Sequence, residues 1–177
     1  NAFNLLNYDR PGRRIDYFGG NHQIACVVRG GSYNQVYWTK DLEMQEGNGC
    51  GATPYMNVAV VDPFDFSTWE TGYGGSGHYY GEFNAGSACV DRPKKNFAFR
   101  FVYANQPDVA QMDTMAYMLS NVIPNGHYVL VYSYVRLLRN SLLASNAMNA
   151  MAALGAVNLA NGTVPDSVPY IFFCKKG

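Results

Sequence analysis

The spacing of apolar residues changes once along the chain, after Tyr103, and this change limits the folds that are possible. Before it, short apolar runs are separated by glycine turns, a pattern typical of antiparallel strands. After it, Met112, Met115 and Leu119 recur at helical spacing, and strand-like and helical segments then alternate. The sequence therefore predicts an α+β, β-rich fold in which a meander precedes a β-α-β-α-β order.

The segment boundaries follow from these patterns and from the turn residues between them. Strands are predicted over 14–18, 22–28, 33–39, 55–61, 67–71, 96–103, 127–134, 156–159 and 168–174. One helix is predicted to begin at Pro107, and a second helix to end at Gly155. Segments 40–53 and 72–95 are predicted to be loops.

Composition restricts the classes of function. The 177 residues fit one domain, and charged residues make up only 15%, with 13 basic and 13 acidic side chains. This balance argues against nucleic acid as the main partner, because phosphate binding depends on clustered Lys and Arg. The 18 Gly and 14 Tyr residues favour a loop-rich protein whose surface makes contacts with other molecules. The chain is expected to be a piece of a larger protein, without its targeting signal.

The uncharged stretch 141–160 has the length of a membrane-spanning helix. It contains Ser145, Asn146 and Asn149, which would be costly in hydrocarbon. A helix packed on the core is therefore expected, with no membrane span.

The four cysteines lack the spacing of a zinc site. Cys50 and Cys89 lie in Gly-rich loops, where a disulfide would form in an oxidising compartment. Cys26 and Cys174 lie in apolar runs and are expected to be core thiols.

Glycines 72, 74 and 77 match a dinucleotide-binding pattern, with Asp91 at a suitable distance. The following residues disfavour the helix that this site needs, so a flexible loop is favoured and no cofactor is expected. Asn161-Gly162-Thr163 fits a glycosylation acceptor, but a turn is preferred.

Catalytic machinery is weakly supported. Asp62 and Asp65 flank Pro63, where Asp side chains commonly bind their own backbone in a turn. A hydrolase that uses Asp62, Glu70 or His78 stays an alternative, but no linked nucleophile and base are evident. No catalytic residue and no metal site is predicted.

Aromatic residues are the most distinctive candidates for a binding site. Trp69, Tyr73, His78, Tyr79 and Tyr80 are the predicted ligand-binding residues, and Phe83 lies close to them in the chain. Flat rings with polar edges suit stacking on sugars or filling a protein interface. The alternative is that some of these rings cover the core.

Several motifs in the second half resemble the interleukin-like EMT inducer domain, also called the PANDER-like domain. These are Asn57-Val58-Ala59-Val60-Val61-Asp62, Ile123-Pro124-Asn125-Gly126-His127-Tyr128-Val129-Leu130-Val131, Ala153-Leu154-Gly155 and Tyr170-Ile171-Phe172-Phe173-Cys174-Lys175-Lys176-Gly177. The resemblance covers 55–177. Residues 1–54 are expected to form N-terminal strands and a loop, and the whole chain is expected to be a single domain. The insertion 72–95 departs from the animal members and is similar to bacterial versions in large secreted or surface proteins, some linked to type IX secretion.

The resemblance implies two facing antiparallel sheets, a β-sandwich, with two helices on one side and neither catalytic residues nor a cofactor. It also implies a secreted or cell-surface location. The expected function is a non-catalytic, extracytoplasmic binding module with carbohydrate as its ligand class. The alternative is protein–protein docking or assembly within a multidomain protein.

Overall fold

The structure is a computed structural model that describes residues 4–29, 36–47, 53–71, 78–81, 97–103 and 109–177. Its described strands form two antiparallel sheets, one of five strands and one of four. The five-stranded sheet has the order β1-β2-β3-β4-β5. Its strands are β1 (Asn4–Asp9), β2 (Arg14–Gly19), β3 (His22–Val28), β4 (Val36–Lys40) and β5 (Glu43–Gly47).

The four-stranded sheet has the order β7-β6-β8-β9, so the two edge strands flank β6 and β8. Its strands are β6 (Tyr55–Val61), β7 (Phe99–Val102), β8 (Tyr128–Tyr134) and β9 (Ile171–Lys175). All three pairings are antiparallel, and β6 pairs with β8 along its whole length.

The four-stranded sheet is covered on both faces, which explains the continuous apolar run of β6. Successive side chains of a strand point to opposite faces. Met56, Val58 and Val60 belong to the core on the helix side, whereas Ala59 and Val61 belong to the core between the sheets. The molecule therefore has three layers, sheet on sheet with helices outside, and the predicted β-rich sandwich is confirmed.

The helix layer consists of more pieces than the sequence predicts. The helices are α1 (Ala110–Tyr117), which continues as a π-helical segment (Met118–Val122), α2 (Arg139–Leu143), α3 (Ala147–Ala153) and α4 (Val157–Ala160). The single helix predicted within 141–160 is wrong because Ser145 interrupts it: its hydroxyl accepts a hydrogen bond from the Ala147 amide. None of the helices in the described part of the chain is long and apolar enough to cross a membrane.

Other predicted boundaries also need correction. β5 lies inside the segment predicted as loop, 156–159 is helical rather than a strand, and 67–71 contributes only isolated bridges at Thr68 and Thr71. The Asn161 turn is confirmed, since the Asn161 side-chain oxygen accepts a hydrogen bond from the Thr163 amide.

The two cysteines that the structure describes are free thiols. Cys26 is fully buried between the sheets, as predicted, and Cys174 is half-buried on the helix side of β9. Cys50 and Cys89, the predicted disulfide, lie outside the described residues.

Candidate functional site

Four of the five predicted ligand-binding residues lie in the described segments. Trp69 follows β6 after a turn, and His78, Tyr79 and Tyr80 belong to the short described segment 78–81. An isolated parallel bridge joins Thr71 to His78 and so brings the two segments together. Tyr73 lies outside the described residues, as does the glycine pattern at 72–77.

A tight turn after β6 directs the chain back toward the sheet. The Asp62 carboxylate accepts a hydrogen bond from the Phe64 amide at 2.8 Å, and the Asp65 carboxylate accepts one from the Ser67 amide at 2.9 Å. Both aspartates therefore have the turn role predicted for them. The Trp69 amide then donates to the Val60 carbonyl at 2.9 Å, which fixes Trp69 beside the end of β6.

The rings of Trp69 and His78 are stacked face to face. Their centroids are 4.2 Å apart and their planes differ by 4°. Face-to-face stacking covers one face of each ring, and the Thr71–His78 bridge fixes the backbone next to this stack. Trp69 is also partly buried against the helix-side core.

The two tyrosines that follow His78 have different environments. Tyr80 packs against the helix-side core, 6.4 Å from the Phe99 ring centre, whereas Tyr79 is 66% exposed. Gly81 has a φ of +75°, and a Cβ at this position would collide with the Arg100 carbonyl. Glycine therefore lets this segment lie directly against β7.

We call Trp69, His78, Tyr79 and Tyr80 the aromatic platform. Trp69 stacks on His78, Trp69 and Tyr80 pack on the helix-side core, and Tyr79, between His78 and Tyr80 in the chain, faces solvent. The exposed ring of Tyr79 can stack on a flat apolar face and present its polar edge.

The buried side chain of His127 packs against the aromatic platform, and the sequence did not predict this contact. The His127 ring meets Trp69 edge to face, with centroids 5.6 Å apart, and its Nε2 lies 3.5 Å from an Asp62 carboxylate oxygen. Its Nδ1 is buried without a hydrogen-bond partner in the described part of the chain. Asp62 thus contributes to the turn and to this contact, through different oxygens.

Two open clefts lie away from the platform. One, of about 430 Å³, separates α1 and the π-helical segment from α3, and Tyr117, Asn121 and Asn149 contribute to its lining. The other, of about 360 Å³, lies between β1 and the segment 155–172. Within the described ranges, no three His, Cys, Asp or Glu side chains converge as a metal site would require.

No protein-family model matches the chain, and no curated protein matches its sequence.

Proposed function

We propose that this chain is a non-catalytic, extracytoplasmic binding module that recognises carbohydrate through the aromatic platform. The observation that supports this proposal is the exposed ring of Tyr79 on a segment that the Trp69–His78 stack holds against the core. Membership of the interleukin-like EMT inducer family is part of the same proposal, because its motifs include β6, β8 and β9, which form most of the four-stranded sheet.

The platform has the chemical properties that sugar recognition needs. A pyranose ring has one face rich in C–H groups, which stacks on an aromatic ring, while its hydroxyl groups need polar partners. Tyr79 offers the exposed ring, and the imidazole of His78 and the carboxylate of Glu70 lie on the same two segments. Anchoring by Trp69 and Tyr80 limits the entropy lost when a ligand binds.

A glycan array with the oxidised, folded domain tests this proposal. The protein is displayed in multivalent form, so that avidity makes weak single-site binding detectable. We expect reproducible binding to one class of glycan, and Tyr79→Ala should abolish it. Tyr117→Ala is the matched control, because Tyr117 is 57% exposed on α1, away from the platform.

Two outcomes would contradict the carbohydrate proposal. One is a blank array with folded protein, and the other is binding that Tyr79→Ala leaves intact. Turnover of glycoside, ester or peptide substrates that depends on Asp62, Glu70 or His78 would instead contradict the non-catalytic part of it.

Protein docking is the second candidate function, and the outer edge of β9, beside which the described residues place no strand, favours it. β9 is an edge strand whose side chains are only half-buried over most of its length. An exposed row of backbone donors and acceptors is a common template for binding another polypeptide.

A further inference from the structure

The outer edge of β9 presents backbone groups that pair with no strand among the described residues. The Ser133 amide donates to the Tyr170 carbonyl, and the Lys176 amide donates to the His127 carbonyl. With the β8–β9 register, these two bonds place the amides of Phe172 and Cys174 toward β8. The amides and carbonyls of Ile171, Phe173 and Lys175 therefore point away from β8. In the part of the chain that the structure describes, no strand pairs with this edge.

The five-stranded sheet extends one strand beyond this edge. Tyr17 of β2 lies over Phe173 of β9, with ring centroids 4.8 Å apart. β1 is the next strand outward from β2, so it lies above the space beside β9. The smaller sheet has no described strand opposite β1.

The inward-facing side chains of β1 are exposed where the smaller sheet has no described strand opposite them. Leu6 and Tyr8 pair with Tyr17 and Ile15, so they point toward the same inner side of the sheet. Tyr17 and Ile15 are buried, whereas Leu6 is 52% and Tyr8 is 62% exposed. Two large inward-facing side chains thus lie over a position in the smaller sheet that no described strand occupies.

A cleft of about 360 Å³ marks part of this position. Tyr8 and Arg10 line one side, and Tyr170, Ile171 and Phe172 line another. A strand added to β9 would lie about 4.8 Å from it, under β1, and would cover Leu6 and Tyr8.

We propose that this position accepts an extended segment of a partner protein, which adds a fifth strand to the sheet at β9. Its backbone would pair with Ile171, Phe173 and Lys175, and its alternate apolar side chains would pack under Leu6 and Tyr8. Arg10 lies near one end of the site and Lys175 near the other. The segment therefore carries acidic residues at its ends.

Because β1 extends past β9, the site fits a single added segment and does not fit a second copy of this chain. If two copies paired through their β9 edges, each β1 would extend over the β9 of the other copy. That space already holds β2, whose Tyr17 covers Phe173. Lys175 also opposes pairing with an identical edge, since edge lysines discourage such contacts.

The test uses synthetic peptides of about seven residues, long enough to span β9. In one pool, Val, Ile or Tyr alternates with Thr and both ends carry Glu; in a second pool, the ends carry Lys. Binding is followed through the backbone amide NMR resonances of the whole chain. We expect the Glu-ended pool to shift Ile171, Phe173 and Lys175 and to slow the exchange of their amides with solvent. The Lys-ended pool should bind at least about tenfold more weakly.

Variants on opposite faces of β1 make the assignment specific. Leu6→Asp and Tyr8→Asp should each weaken peptide binding at least about tenfold, because they place a charge against the added strand. Leu5→Asp is the matched control, since Leu5 is 46% exposed on the other face of the same strand. Tyr79→Ala should bind the peptides like the unmodified protein, so this test is independent of the carbohydrate proposal.

Four results would overturn the proposal. The first is that neither pool shifts the β9 resonances at millimolar concentration, and the second is that the outward amides are already protected in the free protein. The third is that Leu5→Asp weakens binding as much as Leu6→Asp. The fourth is a dimer in sedimentation that Leu6→Asp dissociates, which would make the occupant a second copy.

Discussion

The ammonium group of Lys176 donates a hydrogen bond to the carbonyl of Ile123 at 2.6 Å. It also reaches the carbonyls of Leu119 at 2.7 Å and Ser120 at 3.2 Å. These oxygens lie at the end of the π-helical segment, where carbonyl groups lack partners within the helix. The lysine therefore neutralises a helix C-terminus and ties the last strand to the helix layer, while burial lowers its pKa.

Replacing Lys176 by Met should therefore lower the free energy of unfolding by about 2 kcal/mol, because three carbonyls lose a charged donor. Urea denaturation measures this change. Lys175→Met is the matched control, since Lys175 is exposed and should change stability by less than about 0.5 kcal/mol. Equal effects of the two substitutions would show that the three bonds contribute no net stability.

The aromatic platform should separate into residues that support the fold and a residue that faces solvent. Trp69→Ala removes a ring that packs on the core and contacts His78 and His127, so we expect a loss of about 2 kcal/mol. Tyr79→Ala should change stability by less than about 0.5 kcal/mol. Thermal unfolding of the two variants measures the difference. A large loss for Tyr79→Ala would give that ring a structural role.

The sequence predicts the sheets better than their edges. The apolar run of β6 and the alternation of β7 are local signals, and both strands are found where they are predicted. The sequence does not predict the β4–β5 hairpin, because its turn contains no glycine. The turn residues Asp41 and Leu42 nevertheless have positive φ values of +50° and +68°. β1 is a half-exposed edge strand whose neighbouring leucines conceal its alternation.

The break between α2 and α3, where the Ser145 hydroxyl accepts a hydrogen bond from the Ala147 amide, is also fixed by a distant contact. Asp113 of α1 accepts hydrogen bonds from both the backbone amide and the side chain of Asn146, 33 residues away. Helical periodicity does not contain this information, because the fold brings α1 to the start of α3.

The candidate site, too, can be predicted only in part from local sequence patterns. Local richness in aromatic residues selects Trp69, His78, Tyr79 and Tyr80. It does not select His127, since the contacts of this side chain with Asp62 and Trp69 exist only after β6 and β8 pair.

Gly155 ends α3 in a left-handed conformation, as its position in the sequence predicts. Its φ is +100°, and the Ala156 amide bonds back to the Met151 carbonyl at 3.0 Å. A Cβ would meet open space, so Gly155→Ala should cost about 1 kcal/mol from backbone strain alone. Gly155→Asn should cost less, because Asn tolerates this region. Equal urea midpoints for the two variants would contradict this explanation.

Glu46 should make stability depend on pH. It lies on β5 opposite Trp38, and burial raises its pKa from 4.5 to about 8, although the Phe97 amide opposes the shift by donating to the carboxylate. A raised pKa in the folded state means that this contribution is complete below pH 4.5 and is lost as the pH rises toward about 8. Relative to Glu46→Gln, the unmodified protein should lose up to about 5 kcal/mol over that interval. Urea denaturation across the interval measures this loss, with the exposed Glu43→Gln on the same strand as control. If the curves of the unmodified protein and Glu46→Gln run parallel with pH, the carboxyl group is solvated and ionised in the folded state.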